Sequence, residues 1–167
     1  MTTKWAFLAA LSVALLVPPR ISRAQSSDNN EFRMSEFLIG TWQCADTVGT
    51  QAGSYTLTVT KALNDRWLRE NYQWQGTDGA QALSGEYFFS FDPRVKKWIR
   101  IGAMNDGMYF SMIGVRRGND WTFGYSLPGP GTTVYTRKSD TEYTVLGPTY
   151  RENGVLVTEH HGCHKMS

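Results

Sequence analysis

The chain has 167 residues, of which 41% are hydrophobic, 13% aromatic and 19% charged. This length and composition fit one globular domain and exclude collagen-like, low-complexity and disordered chains. The formal net charge is +2; without the first 24 residues, which hold three basic side chains and no acidic one, 14 Lys and Arg face 15 Asp and Glu. A near-neutral chain excludes a general polyanion binder and gives no support for nucleic acid or acidic lipid as a partner.

The first 24 residues have the pattern of a secretory signal peptide. Lys4 gives a positive start, an apolar run covers residues 5–17, and Ser22 and Ala24 are the small residues of a cleavage site. The run is shorter than the ~20 apolar residues that a membrane-spanning helix needs. We therefore expect a secreted or periplasmic protein without a stable membrane anchor.

The two cysteines, Cys44 and Cys163, lie near the two ends of the remaining chain. In an oxidising compartment, an even pair of cysteines is most simply one disulfide. Such a bond requires the first and last strands to lie within about 7 Å of each other, measured between Cα atoms. A closed barrel meets this requirement.

The predicted elements are one short helix followed by strands. Apolar residues at helical spacing after Asn30, as the N-cap, predict a helix over residues 30–38. From Gly40 onward the pattern changes to the alternation of strands, and Asp106-Gly107 is a strong hairpin signal. The ten predicted strands cover residues 41–45, 54–60, 66–74, 83–91, 97–104, 108–115, 121–127, 132–138, 142–149 and 155–164.

Regular short strands with short connections predict an all-β, antiparallel fold, either a sandwich or a barrel, in up-and-down order. We favour a barrel of about ten strands because the cysteines then meet at its closure. The predicted organisation is a signal peptide at residues 1–24, a flexible tail at 25–30 and a single β-barrel domain at 31–167.

Three ordered motifs resemble a known family. They are Gly40-Thr41-Trp42, the strand Trp67-Leu68-Arg69-Glu70, and the aromatic strand from Tyr87 to Asp92 followed by Lys96-Lys97-Trp98. In this order they resemble a bacterial family of small secreted lipocalin-like (calycin-type) ten-stranded barrels, whose members have no agreed activity. The resemblance implies that Trp42 plugs the closed end of the barrel.

A more distant resemblance concerns the three histidines, which all lie in the last eight residues. Nitrobindin-like haem barrels also open with Gly-x-Trp and bind haem iron through a histidine on the last strand, which implies His160 or His161 here. The Gly-rich run that follows the Trp in that family is mostly missing after Trp42. A metal site shared by His160 and His164 is not expected, because they are about 13 Å apart along a strand.

Aromatic and polar side chains on the middle strands predict an interior that holds an apolar or amphipathic small molecule, without a required cofactor. Alternatively, these side chains fill the core completely, or an enzyme site lies in the barrel mouth. If one acid–base pair points inward, Glu70 and Arg100 are the best candidates for it. We expect Arg69 to face either the ligand or solvent, and the C-terminal histidines to make no ligand contact. The predicted ligand-contacting residues are Arg69, Glu70, Tyr87, Phe89, Phe91, Trp98, Arg100, Met104 and Tyr109.

Overall fold

A computed structural model describes residues 30–48, 51–75, 82–127, 131–152 and 154–167. The predicted signal peptide and residues 25–29 of the predicted tail lie outside the described residues. The predicted helix is present as one helical turn at residues 30–33 followed by a 3-10 helix, Glu36–Leu38. The Ser35 hydroxyl donates a hydrogen bond to the Phe32 carbonyl between the two turns, 2.7 Å away. We call residues 30–38 the N-terminal helical segment.

Ten antiparallel strands form a closed barrel, which confirms the predicted fold class and is consistent with a lipocalin-like fold. Each strand pairs with its neighbours in sequence, and β1 pairs with β10 to close the barrel. The strands are β1 Gly40–Val48, β2 Gln51–Ala62, β3 Trp67–Trp74, β4 Leu83–Asp92, β5 Lys97–Met104, β6 Tyr109–Arg117, β7 Asp120–Leu127, β8 Thr132–Arg137, β9 Glu142–Glu152 and β10 Val155–Lys165.

The odd-numbered strands begin at the end of the barrel that the N-terminal helical segment covers, and this end is closed. Trp42 is fully buried there, and its Nε1 donates a hydrogen bond to the Leu38 carbonyl at 2.6 Å. Lys165 Nζ donates a hydrogen bond to the Phe37 carbonyl at 2.8 Å, which ties the end of β10 to the same segment. The prediction that Trp42 is buried at the closed end is confirmed.

Cys44 and Cys163 form a disulfide across the seam where β1 meets β10. The two residues are direct partners in the register of these strands, with Cα atoms 4.1 Å apart. The predicted pairing is confirmed, and a disulfide indicates a non-reducing environment. Within the described residues, no helix is long and apolar enough to cross a membrane.

Candidate ligand-binding site

The barrel encloses a cavity of about 670 Å³. Small-molecule sites commonly have volumes of about 300–1,000 Å³, so the cavity is large enough for a ligand. Phe37 and Leu38 of the N-terminal helical segment contribute to its floor at the closed end, and Met108 and Tyr150 lie at the opposite, open end. The side chains therefore do not fill the barrel completely.

Tyrosine is the characteristic residue of this cavity. The chain contains eight tyrosines, and all eight line the cavity. Tyrosine combines an apolar ring with a hydroxyl that both donates and accepts hydrogen bonds, so the wall offers apolar area and several polar contacts together. The tyrosines are Tyr55, Tyr72, Tyr87, Tyr109, Tyr125, Tyr135, Tyr143 and Tyr150.

Aromatic rings form a continuous band across neighbouring strands of the wall. The ring centroids of Tyr55 and Tyr72 are 4.8 Å apart, and those of Tyr72 and Tyr87 are 5.8 Å apart. Phe110 of β6 continues the band, 5.0 Å from Tyr87. Sequence reasoning identified only Tyr87 of these four residues, although each of them occupies an inward position in the alternation of its strand.

A buried ion pair crosses the cavity wall between β3 and β5. Arg100 Nε and Nη2 both donate hydrogen bonds to Glu70 Oε2, at 3.1 and 2.6 Å. The guanidinium carbon also lies 4.7 Å from the ring centroid of Tyr87 and 5.3 Å from that of Tyr135, within cation–π range. The prediction that Glu70 and Arg100 point inward as a pair is confirmed.

Arg100 keeps its positive charge in this apolar setting. Burial opposes the charge of Arg100, but the attraction of Glu70 and the hydrogen bonds from Arg100 to it outweigh burial and raise the pKa of the guanidinium above its usual range. Burial also raises the pKa of Tyr87 to about 12. The same cause raises the pKa of four further phenols in the wall, namely Tyr55, Tyr72, Tyr135 and Tyr143.

Alkaline titration should therefore separate these five phenols from ordinary ones. A phenol with a raised pKa keeps its proton in the folded state at a pH at which the unfolded chain has lost it. Its contribution to the free energy of unfolding is therefore complete below pH 10, and it is lost as the pH rises through the folded-state pKa. We expect a late phase of phenolate absorbance that coincides with unfolding, with a smaller amplitude in Tyr87→Phe. Ionisation of every phenol near pH 10 while circular dichroism remains native would contradict this expectation.

Glu159 and His161 of β10 line the open end of the cavity. Glu159 Oε2 lies 3.8 Å from His161 Nε2, within ion-pair range but longer than a hydrogen bond. His161 Nδ1 is buried and has no hydrogen-bond partner among the described residues. His161 thus lines the cavity although it was not among the predicted ligand-contacting residues, because β10 is a full strand that closes the barrel. His160 and His164 are exposed.

Six of the nine predicted ligand-contacting residues line the cavity and three do not. Arg69 is corrected, because alternation along β3 turns it to the outer face, where it forms an ion pair with Glu86. Phe91 and Trp98 are inward-facing, but they pack against each other at 5.5 Å near the closed end and do not line the cavity. The six that do line it are Glu70, Tyr87, Phe89, Arg100, Met104 and Tyr109.

In the part of the chain that the structure describes, no group of three or more His, Cys, Asp and Glu side chains is placed to hold a metal ion. Comparison with models of protein families and with curated proteins finds no match for this chain. The cavity is therefore the feature of this protein that indicates a function.

Proposed function

We propose that this protein is a secreted or periplasmic binding barrel that holds an apolar or amphipathic small molecule in its interior. The observation that carries the proposal is the cavity of about 670 Å³ lined by all eight tyrosines of the chain. The disulfide and the signal-peptide pattern of residues 1–24 support secretion. The sequence resemblance to small secreted bacterial barrels of lipocalin-like type agrees with secretion.

The wall chemistry favours binding through apolar contact. Aromatic and aliphatic side chains supply most of the lining, so removing an apolar ligand from water would provide the main driving force. Glu70 neutralises Arg100, so the described residues of the deep part of the cavity offer no uncompensated charge. Phenol hydroxyls on the wall would orient polar groups of the ligand.

Filling the cavity should abolish binding. Thr133 of β8 is buried and lines the cavity, and its hydroxyl has no hydrogen-bond partner among the described residues. Thr133→Phe would place a ring in the cavity, while Thr132→Phe is the matched control because Thr132 is exposed on the other face of the same strand. We expect the neutral fluorescent probe N-phenyl-1-naphthylamine to bind saturably to the wild type and to Thr132→Phe, and at least about tenfold more weakly to Thr133→Phe.

Thr133→Phe is a more informative test than an acidic substitution deep in the cavity wall, such as Phe89→Asp. Phe89 is stacked on Trp98 at 4.9 Å, so an aspartate at this position would bury an unpaired carboxylate and unfold the barrel. Circular dichroism of both threonine variants checks that the fold is retained. Equal probe binding by the two folded variants, or no probe binding by the wild type, would overturn the proposed function.

A haem protein is the second candidate, and one observation favours it. His161 lines the cavity, and its Nδ1 lacks a partner among the described residues, so His161 is the residue that would hold a haem iron. Haem would supply gas-binding or redox chemistry there. A titration of the protein with hemin tests this candidate, which requires the Soret band of bound haem in the wild type. His161→Ala should remove this band. His160→Ala is the control and should retain it, because His160 is exposed.

A further inference from the structure

The charges of the cavity lining are unequally compensated. Among the described lining residues, the acidic and basic side chains are Glu70, Arg100, Arg137 and Glu159. Glu70 and Arg100 pair with each other, and Arg137 pairs with Asp140. Glu159 has His161 as its ion-pair partner, and His161 is charged only when protonated. The open end of the cavity therefore has a carboxylate without a permanent counter-charge.

A bulge in β9 lies opposite Glu159. Thr158 of β10 pairs with Thr149, but His160 pairs with Leu146, so Gly147 and Pro148 together face the single residue Glu159. Bulges occur often beside functional sites. Gly147 lies opposite, and a Cβ at this position would stand 2.8 Å from Glu159 Oε2. The glycine therefore provides the space that the carboxylate occupies.

A second carboxylate adds to the negative potential of the open end. Asp46 of β1 is the direct register partner of His161, and its Oδ1 is buried without a hydrogen-bond partner among the described residues. Gly53 leaves room for it, since a Cβ there would stand 2.5 Å from Asp46 Oδ1. Asp46 and Glu159 both help burial to raise the pKa of Tyr72, so both carboxylates act on the same part of the wall.

Aromatic rings complete the surroundings of a cation. Tyr55 lies 4.8 Å from Tyr72 and 5.6 Å from His161, measured between ring centroids. Tyrosine rings attract cations, and in this cavity the ring of Tyr87 already contacts the guanidinium of Arg100. Carboxylate and aromatic groups together are the surroundings that bind ammonium groups.

We propose that the ligand is an amphipathic organic cation, whose apolar body fills the tyrosine-lined cavity and whose ammonium group is bound by Glu159 at the open end. This inference rests on the proposed function and specifies its ligand class. A metal ion does not fit the same position, because the described residues form no cluster of three ligating side chains. A free anion does not fit it either, because Asp46 and Glu159 would repel it.

Ligands that share one apolar chain and differ in the head group test this proposal. Dodecylamine, dodecanol and dodecanoate, each below its micelle concentration at neutral pH, would displace N-phenyl-1-naphthylamine from the protein. We expect dodecylamine to bind at least about tenfold more tightly than dodecanoate. Glu159→Gln keeps the shape of the side chain and removes its charge, so it should weaken dodecylamine binding about tenfold and leave dodecanol unchanged.

Glu86→Gln is the control, because Glu86 pairs with Arg69 on the outer face and does not line the cavity. It should leave all three affinities unchanged. If the neutral probe binds but the protein prefers dodecanoate, or if Glu159→Gln does not alter the affinity for dodecylamine, the proposal of a cationic ligand is wrong. If neither the probe nor dodecanol binds to the wild type, the proposed function itself fails.

Discussion

Removing the disulfide by replacing Cys44 and Cys163 with alanine should lower the free energy of unfolding by about 4–5 kcal/mol. The bond joins residues 119 positions apart, and a cross-link over so long a loop strongly reduces the conformational freedom of the unfolded chain. It also holds the seam between β1 and β10, where the barrel closes. Denaturant unfolding of the oxidised wild type and the double variant measures the difference.

Two further measurements make this result specific. The wild type unfolded in the presence of a reductant should resemble the double variant, because both lack the cross-link. The sulfurs are fully buried, with the hydroxyls of Tyr55 and Tyr143 each 3.8 Å from one of them, so the folded protein should resist reduction. Two thiols that titrate in the denatured, unreduced protein would show that the bond does not form.

Most of the fold could be predicted because strands leave a local signal. Alternation and turn residues predicted ten strands, and β5 has the bounds that its pattern indicated, residues 97–104. β1 and β2 are longer than predicted, since their pairing continues as far as Val48 opposite Gln51. Pairing with a neighbour extends a strand beyond its own pattern, so the ends of strands were less predictable than their existence.

The sequence pattern predicted which side chains point into the barrel, but not how far each of them lies from the closed end. Alternation correctly turned Phe91 and Trp98 inward, but it does not tell how far an inward residue lies from the closed end. There the N-terminal helical segment and its neighbours fill the barrel, so Trp98 packs in the core and does not reach the cavity. Arg69 is a different error, because its neighbour Glu70 faces inward and the two cannot share a face of one strand.

The open end of the cavity depends on contacts that a single strand pattern does not contain. The register shift beside Glu159 involves two strands, and Gly147-Pro148 marks an irregular strand without telling which residue of β10 it faces. The pattern of the last strand did not indicate that His161 belongs to the cavity wall, whereas its pairing with Asp46 across the closing seam makes it part of that wall. Both findings required knowledge of which strands meet.

Trp42→Ala should be the most damaging single substitution at the closed end, with a loss of about 3–5 kcal/mol in the free energy of unfolding. The indole is fully buried and packs edge-to-face on Tyr143 at 4.8 Å. It also links the barrel to the N-terminal helical segment through its hydrogen bond to the Leu38 carbonyl and its edge contact with Phe37 at 6.3 Å. Truncation would leave a cavity and also free the segment that covers this end.

Trp67→Ala is the matched control, since Trp67 belongs to the outward-facing set of β3 and is only partly buried. Losing this indole should cost much less, because the site opens to water and no cavity remains. Chemical denaturation of the two variants compares the effects, and probe binding by Trp42→Ala tests whether the closed end also seals the ligand cavity. Because Phe37 and Leu38 contribute to the cavity floor, release of the segment should weaken probe binding in the folded variant. Equal stability of the two variants would mean that Trp42 does not hold the closed end together.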